Sequence, residues 1–205
     1  MKYVRPLSLF HDLLKTSAIN QGRLLGLDVG DKYVGLAVSD PLNKIASPLS
    51  VLLRKKSNIE LMATDFQKRV LLHYGFVVIY PFANYAIAGI TAKHSQSLVA
   101  QDSEISELSL GGFIVGYPFD RQRSAPDAVR VKLFVDDLCR TGKLEGLKFT
   151  YWDECFTSKN VELLVKPLNL HPVHAKSIMD KFAAVGILQG YLDYVNKKMK
   201  LESAE

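Results

Sequence analysis

Two apolar runs, Leu24–Val29 and Tyr33–Val38, stand on either side of Gly30-Asp31-Lys32. Short apolar runs joined by a glycine-containing turn predict a β-hairpin. Asp40-Pro41-Leu42-Asn43 predicts a second turn, and Ile45–Leu53, interrupted by Pro48, a third strand. Ser57 or Asn58 can cap a helix from Ile59 to about Lys68. Farther on, Gly112–Gly116 reads as a short buried strand that stops at Tyr117-Pro118. Ala125–Leu138 reads as a helix with Val129, Leu133, Phe134 and Leu138 on one face. Gly142 and Gly146 bracket a connection into a strand at Leu147–Trp152. A helix over Ser158–Val165, a loop over Pro167–Pro172 and a last helix over Ser177–Lys198 complete the pattern. Hairpin strands first, then alternating helices and strands, predict an α/β fold with a mixed sheet covered by helices. Ligand sites in such sheets gather at the carboxyl ends of neighbouring strands.

Two segments stand outside this rhythm. Residues 1–22 form an N-terminal extension, expected to hold a short helix over Leu7–Leu14 packed against the domain. Val70–Ala92 is a stretch of 23 residues without Asp, Glu, Lys or Arg. Its length alone admits a membrane span, although His73, Pro81 and Asn84 oppose one. It also reads as a buried extra element, or as part of an insertion over residues 69–104. Joining Lys68 to Ile105 would align Met62, Phe66, Ile105 and Leu108 at spacings of 4, 3 and 3, one apolar helical stripe. Gly111 and Gly112 would then cap that helix. The insertion reading is preferred, within one domain over residues 1–205.

The composition is that of an ordinary folded protein, 48% hydrophobic and 23% charged in 205 residues. A formal net charge of +5 fits a phosphate-bearing partner but does not single one out. Cys139 and Cys155 form no C-x-x-C pair, and no histidine stands at zinc-finger spacing from them. They read as free thiols in a reducing compartment. The N-terminus lacks the apolar core and cleavage site of a secretory signal. A cytoplasmic location is expected, with an organelle as the alternative because the first residues are basic and amphipathic.

Cleaving a phosphodiester at neutral pH needs a nucleophilic water and stabilisation of the leaving oxygen, which two divalent metals about 4 Å apart supply. Mg²⁺ takes oxygen ligands and keeps several waters, so a few converging carboxylates suffice. Asp28 is such a candidate: its charge sits inside an apolar strand, where it is costly without a partner. A hydrogen-bonded structural aspartate is the competing account. Glu154 follows Asp153 at the end of a strand, which suits either a metal site or a helix dipole. Asp180 lies at the third position of a helix begun at Ser177, and by itself reads as a capping-box residue.

Together these residues read differently. The stretches GLDVGDKYVGLAVSDPLNKIASPL, FIVGYP, DECFTS and MDKFAAVGILQGYLD stand in this order. They resemble the YqgF/RuvX family of Holliday junction resolvase-like proteins and pre-16S ribosomal RNA nucleases. The resemblance runs from about Arg23 to Leu192, leaving out the insertion. It implies an RNase H-like fold, a mixed five-stranded sheet flanked by helices. It further implies a metal-dependent endonuclease in which Asp28, Glu154 and Asp180 hold two Mg²⁺ or Mn²⁺ ions. Asp153 and Gly30 would support that set. Lys32, Arg121, Arg123 and Thr157 would meet nucleic acid, with Lys32 placed to touch a phosphate oxygen. The implied partners are ribosomal RNA precursors and their particles, or branched DNA in the junction-resolving alternative.

The chain departs from the family pattern at three places. Asp31 stands where Thr or Ser is usual, Cys155 where Arg is usual, and Asp120–Ser124 where a glycine-containing loop is usual. Losing that arginine removes a bidentate phosphate ligand, which Arg121 or Arg123 could replace. A catalytically silent RNase H-like module that binds RNA or protein is therefore a second reading. A third is the phosphate loop of actin-like ATPases, which D-x-G-x-x-x-x-G at Asp28–Gly35 also resembles, but no second such loop follows. The five histidines lie outside these motifs and read as surface or structural.

Overall fold

The computed structural model describes residues 1–15, 22–71, 110–119, 125–153 and 172–203. Its strands are β1 (Lys2–Tyr3), β2 (Arg23–Val29), β3 (Tyr33–Ser39), β4 (Ala46–Leu53), β5 (Leu110–Tyr117) and β6 (Lys148–Asp153). Its helices are α1 (Pro6–Lys15), α2 (Ile59–Leu71), α3 (Ala125–Arg140) and α4 (Pro172–Glu202). The strands form one sheet in the order β1-β6-β5-β2-β3-β4. β2, β3 and β4 make an antiparallel meander, and β5 and β6 run parallel to β2. This is the RNase H-like arrangement that the sequence motifs implied. The sheet has six strands rather than five, because Lys2 and Tyr3 pair in parallel with Lys148 and Phe149.

Alternation along each strand divides the core in two. Leu25, Leu27 and Val29 of β2, with Val34, Leu36 and Val38 of β3, join Phe113, Val115 and Phe149 in a cluster covered by α2 and α3. On the opposite face Leu24, Ala37 and Ile114 pack beneath α1 and α4. α4 contributes a stripe at helical spacing: Ala184, Ile187, Leu188, Tyr191 and Val195. The Tyr191 hydroxyl donates to the Pro6 carbonyl at 2.9 Å, joining the two helices of that face.

Several expectations need correction. Gly111 and Gly112 lie inside β5, not at a helix end. A side chain at Gly111 would strike Leu13 and the Gly22 carbonyl, and one at Gly112 the Lys148 carbonyl and Leu9, so α1 and the neighbouring backbone together leave room only for glycine. α2 runs to Leu71, three residues beyond the expected Lys68. α3 buries Val131, Phe134, Val135 and Leu138, a stripe at spacings of 3, 1 and 3, while Val129 and Leu133 are each 55% exposed. α4 begins at Pro172 instead of Ser177. Proline suits a first helical position, where its missing N–H leaves no bond unmade. The stretch 72–109, with most of the charge-free run, and the helix expected over Ser158–Val165 lie outside the described residues. Among the described residues no helix is long and apolar enough to cross a membrane.

The turns follow the sequence closely. The Asn43 amide donates to the Asp40 carbonyl at 3.0 Å, and the Asp40 carboxylate accepts from the amides of Lys44 and Ile45. Asn43 takes a positive φ of 50°, which asparagine tolerates, and is buried. Gly142 and Gly146, at φ 68° and 83°, make the predicted connection into β6.

Candidate active site

Asp28 is the sixth residue of β2 and shares the α4 face with Gly26. Across the hairpin it pairs with Gly35. Gly35 has no side chain for a physical reason: a Cβ there would run into the carbonyl oxygen of Asp180. The backbone of α4 at Asp180 is therefore seated on the strand residue beside Asp28. Gly26 and Gly116 extend the same seat. A Cβ at Gly26 would meet Leu188 at 2.7 Å, and one at Gly116 would meet Ile187 at 2.5 Å.

Asp180 is in phase with the buried stripe of α4, four residues before Ala184 and seven before Ile187. It therefore faces the sheet, and its Oδ2 is buried. With α4 starting at Pro172, Asp180 stands in the third turn, so the capping-box role does not apply. The sequence held the signal in that phase: Asp180, Ala184, Ile187, Leu188 and Tyr191 form a single stripe whose first member carries a charge. Asp28 and Asp180 are thus brought to one end of one sheet face.

Asp153 ends β6 opposite Tyr117 and is exposed. Its parity is that of Phe149 and Tyr151, whose rings lie 5.4 Å apart on the α3 face. By register it is level with Val29, one residue beyond Asp28, and on the other side of the sheet from Asp28. Glu154, the next residue in the chain, lies outside the described residues, as do Thr157, Arg121, Arg123 and Cys155. Among the described residues no group of three His, Cys, Asp or Glu side chains comes together.

The turn after β2 is braced by residues that sequence reading passed over. The Gly30 amide donates to the Tyr33 carbonyl at 2.9 Å, and the Arg54 amide to the Lys32 carbonyl at 2.8 Å. Lys32 is exposed at the tip. Nε and Nη2 of Arg54 both donate to the Asp31 carbonyl, at 3.2 and 3.1 Å. Nη2 of Arg130 lies 2.6 Å from Oδ1 of Asp31 and 2.8 Å from Oδ1 of Asp127. Burial, and then the nearby Arg130 guanidinium, lowers the pKa of Arg54 from its ordinary value. Asp127–Arg130 is an ordinary i,i+3 helix pair, but nothing in the sequence indicated that it would reach Asp31.

The family described as "RuvX: Holliday junction resolvase" matches residues 22–101 and 84–194. A protein of Caldicellulosiruptor saccharolyticus described as "Putative pre-16S rRNA nuclease" is 31% identical over 179 residues, covering 85% of this chain and 99% of its own. One from Carboxydothermus hydrogenoformans with the same description is 30% identical over 176 residues, covering 85% and 99%. Among solved structures, Thermus thermophilus RuvC in complex with a Holliday junction substrate is 15% identical, with a TM-score of 0.33, covering 79% of this chain and 91% of the other.

Proposed function

This chain belongs to the RuvX family, and from that premise we propose that it is a metal-dependent endonuclease of structured nucleic acid, processing the ends of ribosomal RNA precursors. The observation that carries the reading is the seating of Asp180 on Gly35, the cross-strand neighbour of Asp28. An apolar strand and an apolar helix stripe each spend a position on a carboxylate, and the two positions meet.

The donor chemistry fits a hard divalent cation. Asp28 and Asp180 offer carboxylate oxygens from one face, and Glu154 is covalently next to the strand end at Asp153. We assign Asp28, Glu154 and Asp180 to hold Mg²⁺ or Mn²⁺, with Asp153 and Gly30 in support. Bound there, the metal would lower the pKa of water and neutralise charge on the leaving oxygen. The protein's own contribution is placement. The glycine seat sets the helix carboxylate against the strand carboxylate, and the apolar stripe behind Asp180 excludes water from one side. Lys32, at the exposed tip three residues beyond Gly30's strand neighbour Val29, is assigned to a phosphate oxygen, as are Arg121, Arg123 and Thr157 in the adjoining segments.

The test is cleavage of a structured ribosomal RNA precursor and of a four-way DNA junction, with Mg²⁺, with Mn²⁺ and with chelator. Asp28→Asn and Asp180→Asn should each lower the rate by at least about 100-fold, as removal of a charge-stabilising group does in other active sites. Preference for the RNA supports the precursor-processing assignment, and preference for the junction replaces it with resolution. Absence of metal-dependent cutting by folded wild type overturns the enzyme reading in favour of a binding module.

A further inference from the structure

The side of the sheet away from Asp180 carries a feature that the proposed chemistry leaves unused. A cavity of about 320 Å³ opens between the start of α2 and α3. Ile59, Val129 and Leu133 give it an apolar wall, while Arg54, Lys55 and Arg130 supply cations. Val129 and Leu133 are the two large apolar residues of α3 that the core does not take up, each 55% exposed. An exposed apolar pair at i,i+4 beside partly buried arginines is the lining of a mixed ligand, one with a flat apolar part and an anionic part.

We propose that this cavity binds one nucleotide of the nucleic-acid strand, with the base against Val129 and Leu133 and the phosphate on Arg54 and Arg130. The inference rests on the nuclease reading for its ligand class and on the cavity for its geometry. The volume suits a single nucleotide and excludes a duplex. Arg130 and Arg54 reach Asp31, three residues beyond Asp28, so the cavity opens at the same sheet edge as the carboxylates. A strand crossing that edge would present one nucleotide to the cavity and a neighbouring phosphodiester to Asp28.

Arg130 already holds a surrogate anion, the Asp31 carboxylate, while Arg54 holds the Asp31 backbone carbonyl. The Asp31 side chain is 74% exposed, whereas that of Arg130 is 22% exposed. An exposed carboxylate binds weakly and exchanges readily, and a phosphate offers more charge and more acceptor oxygens to the same fork. Each guanidinium has five N–H donors. The Asp31 and Asp127 contacts engage Nη2 of Arg130 and the Asp31 contacts engage Nε and Nη2 of Arg54, and Nη1 of each takes part in none of them. Asp137 lines the cavity too, and Asp127 shares Arg130. Both repel phosphate and direct it toward Arg54. Asp31, the residue that departs from the family's Thr or Ser, thus acts as a built-in competitor for the phosphate.

The experiment is titration of the full chain, in chelator and without metal, with adenosine 5′-monophosphate, adenosine and inorganic phosphate, followed by NMR. The monophosphate should bind at least about tenfold more tightly than either fragment. Arg54→Gln and Val129→Asp, the second at an exposed position, should each weaken it about fivefold or more, and Asp31→Asn should tighten it. A merely structural Asp31 would give no gain. The proposal is overturned if the monophosphate binds no better than phosphate, if Arg54→Gln leaves its affinity unchanged, or if Asp31→Asn weakens it. Nucleotide binding by a chain that fails to cleave would count against the catalytic reading alone. Metal-dependent cleavage without nucleotide binding would count against this site alone.

Discussion

At Gly35 a single missing methyl group decides whether two carboxylates can meet. Gly35→Ala would force its Cβ into the Asp180 carbonyl, and backbone on both sides leaves little room to yield. Overpacking of this kind costs about 1–3 kcal/mol and occasionally more. The variant should unfold at lower denaturant and lose cleavage together, whereas Asp28→Asn should lose cleavage with the fold intact. A tyrosine makes a second prediction at this scale. Burial first, and then the charge of Asp136, raises the Tyr151 pKa to about 12 from an ordinary 10. The fold therefore favours the protonated phenol. Its contribution is fully present below pH 10 and is lost as pH rises from 10 through about 12. Urea melts across that window should show stability falling with pH, and Tyr151→Phe should flatten part of the fall. Of these residues, Asp28 was legible as a charge within an apolar strand. The glycines were not, because the need for a glycine comes from a neighbour far along the chain, as at Gly35, where it is Asp180.

Among the elements, α1 has more weight than its place in an N-terminal extension indicated. It buries Leu9, Phe10 and Leu13 and lies on the glycines of β5. Leu9→Ala should cost about 2–5 kcal/mol, the usual range for a fully buried leucine, measured by denaturant unfolding. Asp12 of α1 also reaches Lys148 of β6 at 2.7 Å. That hydrogen bond lowers the Asp12 pKa, so the linkage contributes above the ordinary carboxylate range and is lost as pH falls. Asp12→Asn should remove a small part of the acid sensitivity, seen in the pH dependence of the melting temperature. Period-2 and period-3.6 patterns revealed the hairpin, α3 and β6 with only small boundary errors. They failed where an element is too short for a period, as in the two residues of β1. They failed again where one residue type serves two ends, as when Gly111-Gly112 read as a helix stop. The exposed pair Val129 and Leu133 misled in the same way, because an apolar stripe announces burial without saying whether the chain or a ligand provides it.

For the molecule as a whole, the sheet gathers distant segments at one edge. β2 supplies Asp28, β6 leads to Glu154, and α4 brings Asp180. The four motifs were legible in order, so the fold class could be read before any geometry, and with it the two carboxylates, Asp28 and Asp180, that the fold brings to one sheet face. The approach of α3 to the Asp31 turn could not be read, since it depends on where β5 ends and how α3 crosses the sheet. α4 also has a consequence in time. Synthesis at about 5–20 residues per second separates the emergence of Asp28 from that of Asp180 by on the order of ten seconds. During that interval Gly26 and Gly35, and Gly116 once it has been made, lack the helix that covers them in the finished fold. A chain still being made holds the strand half of the proposed site and none of the helix half, so the proposed chemistry cannot start before α4 has been made.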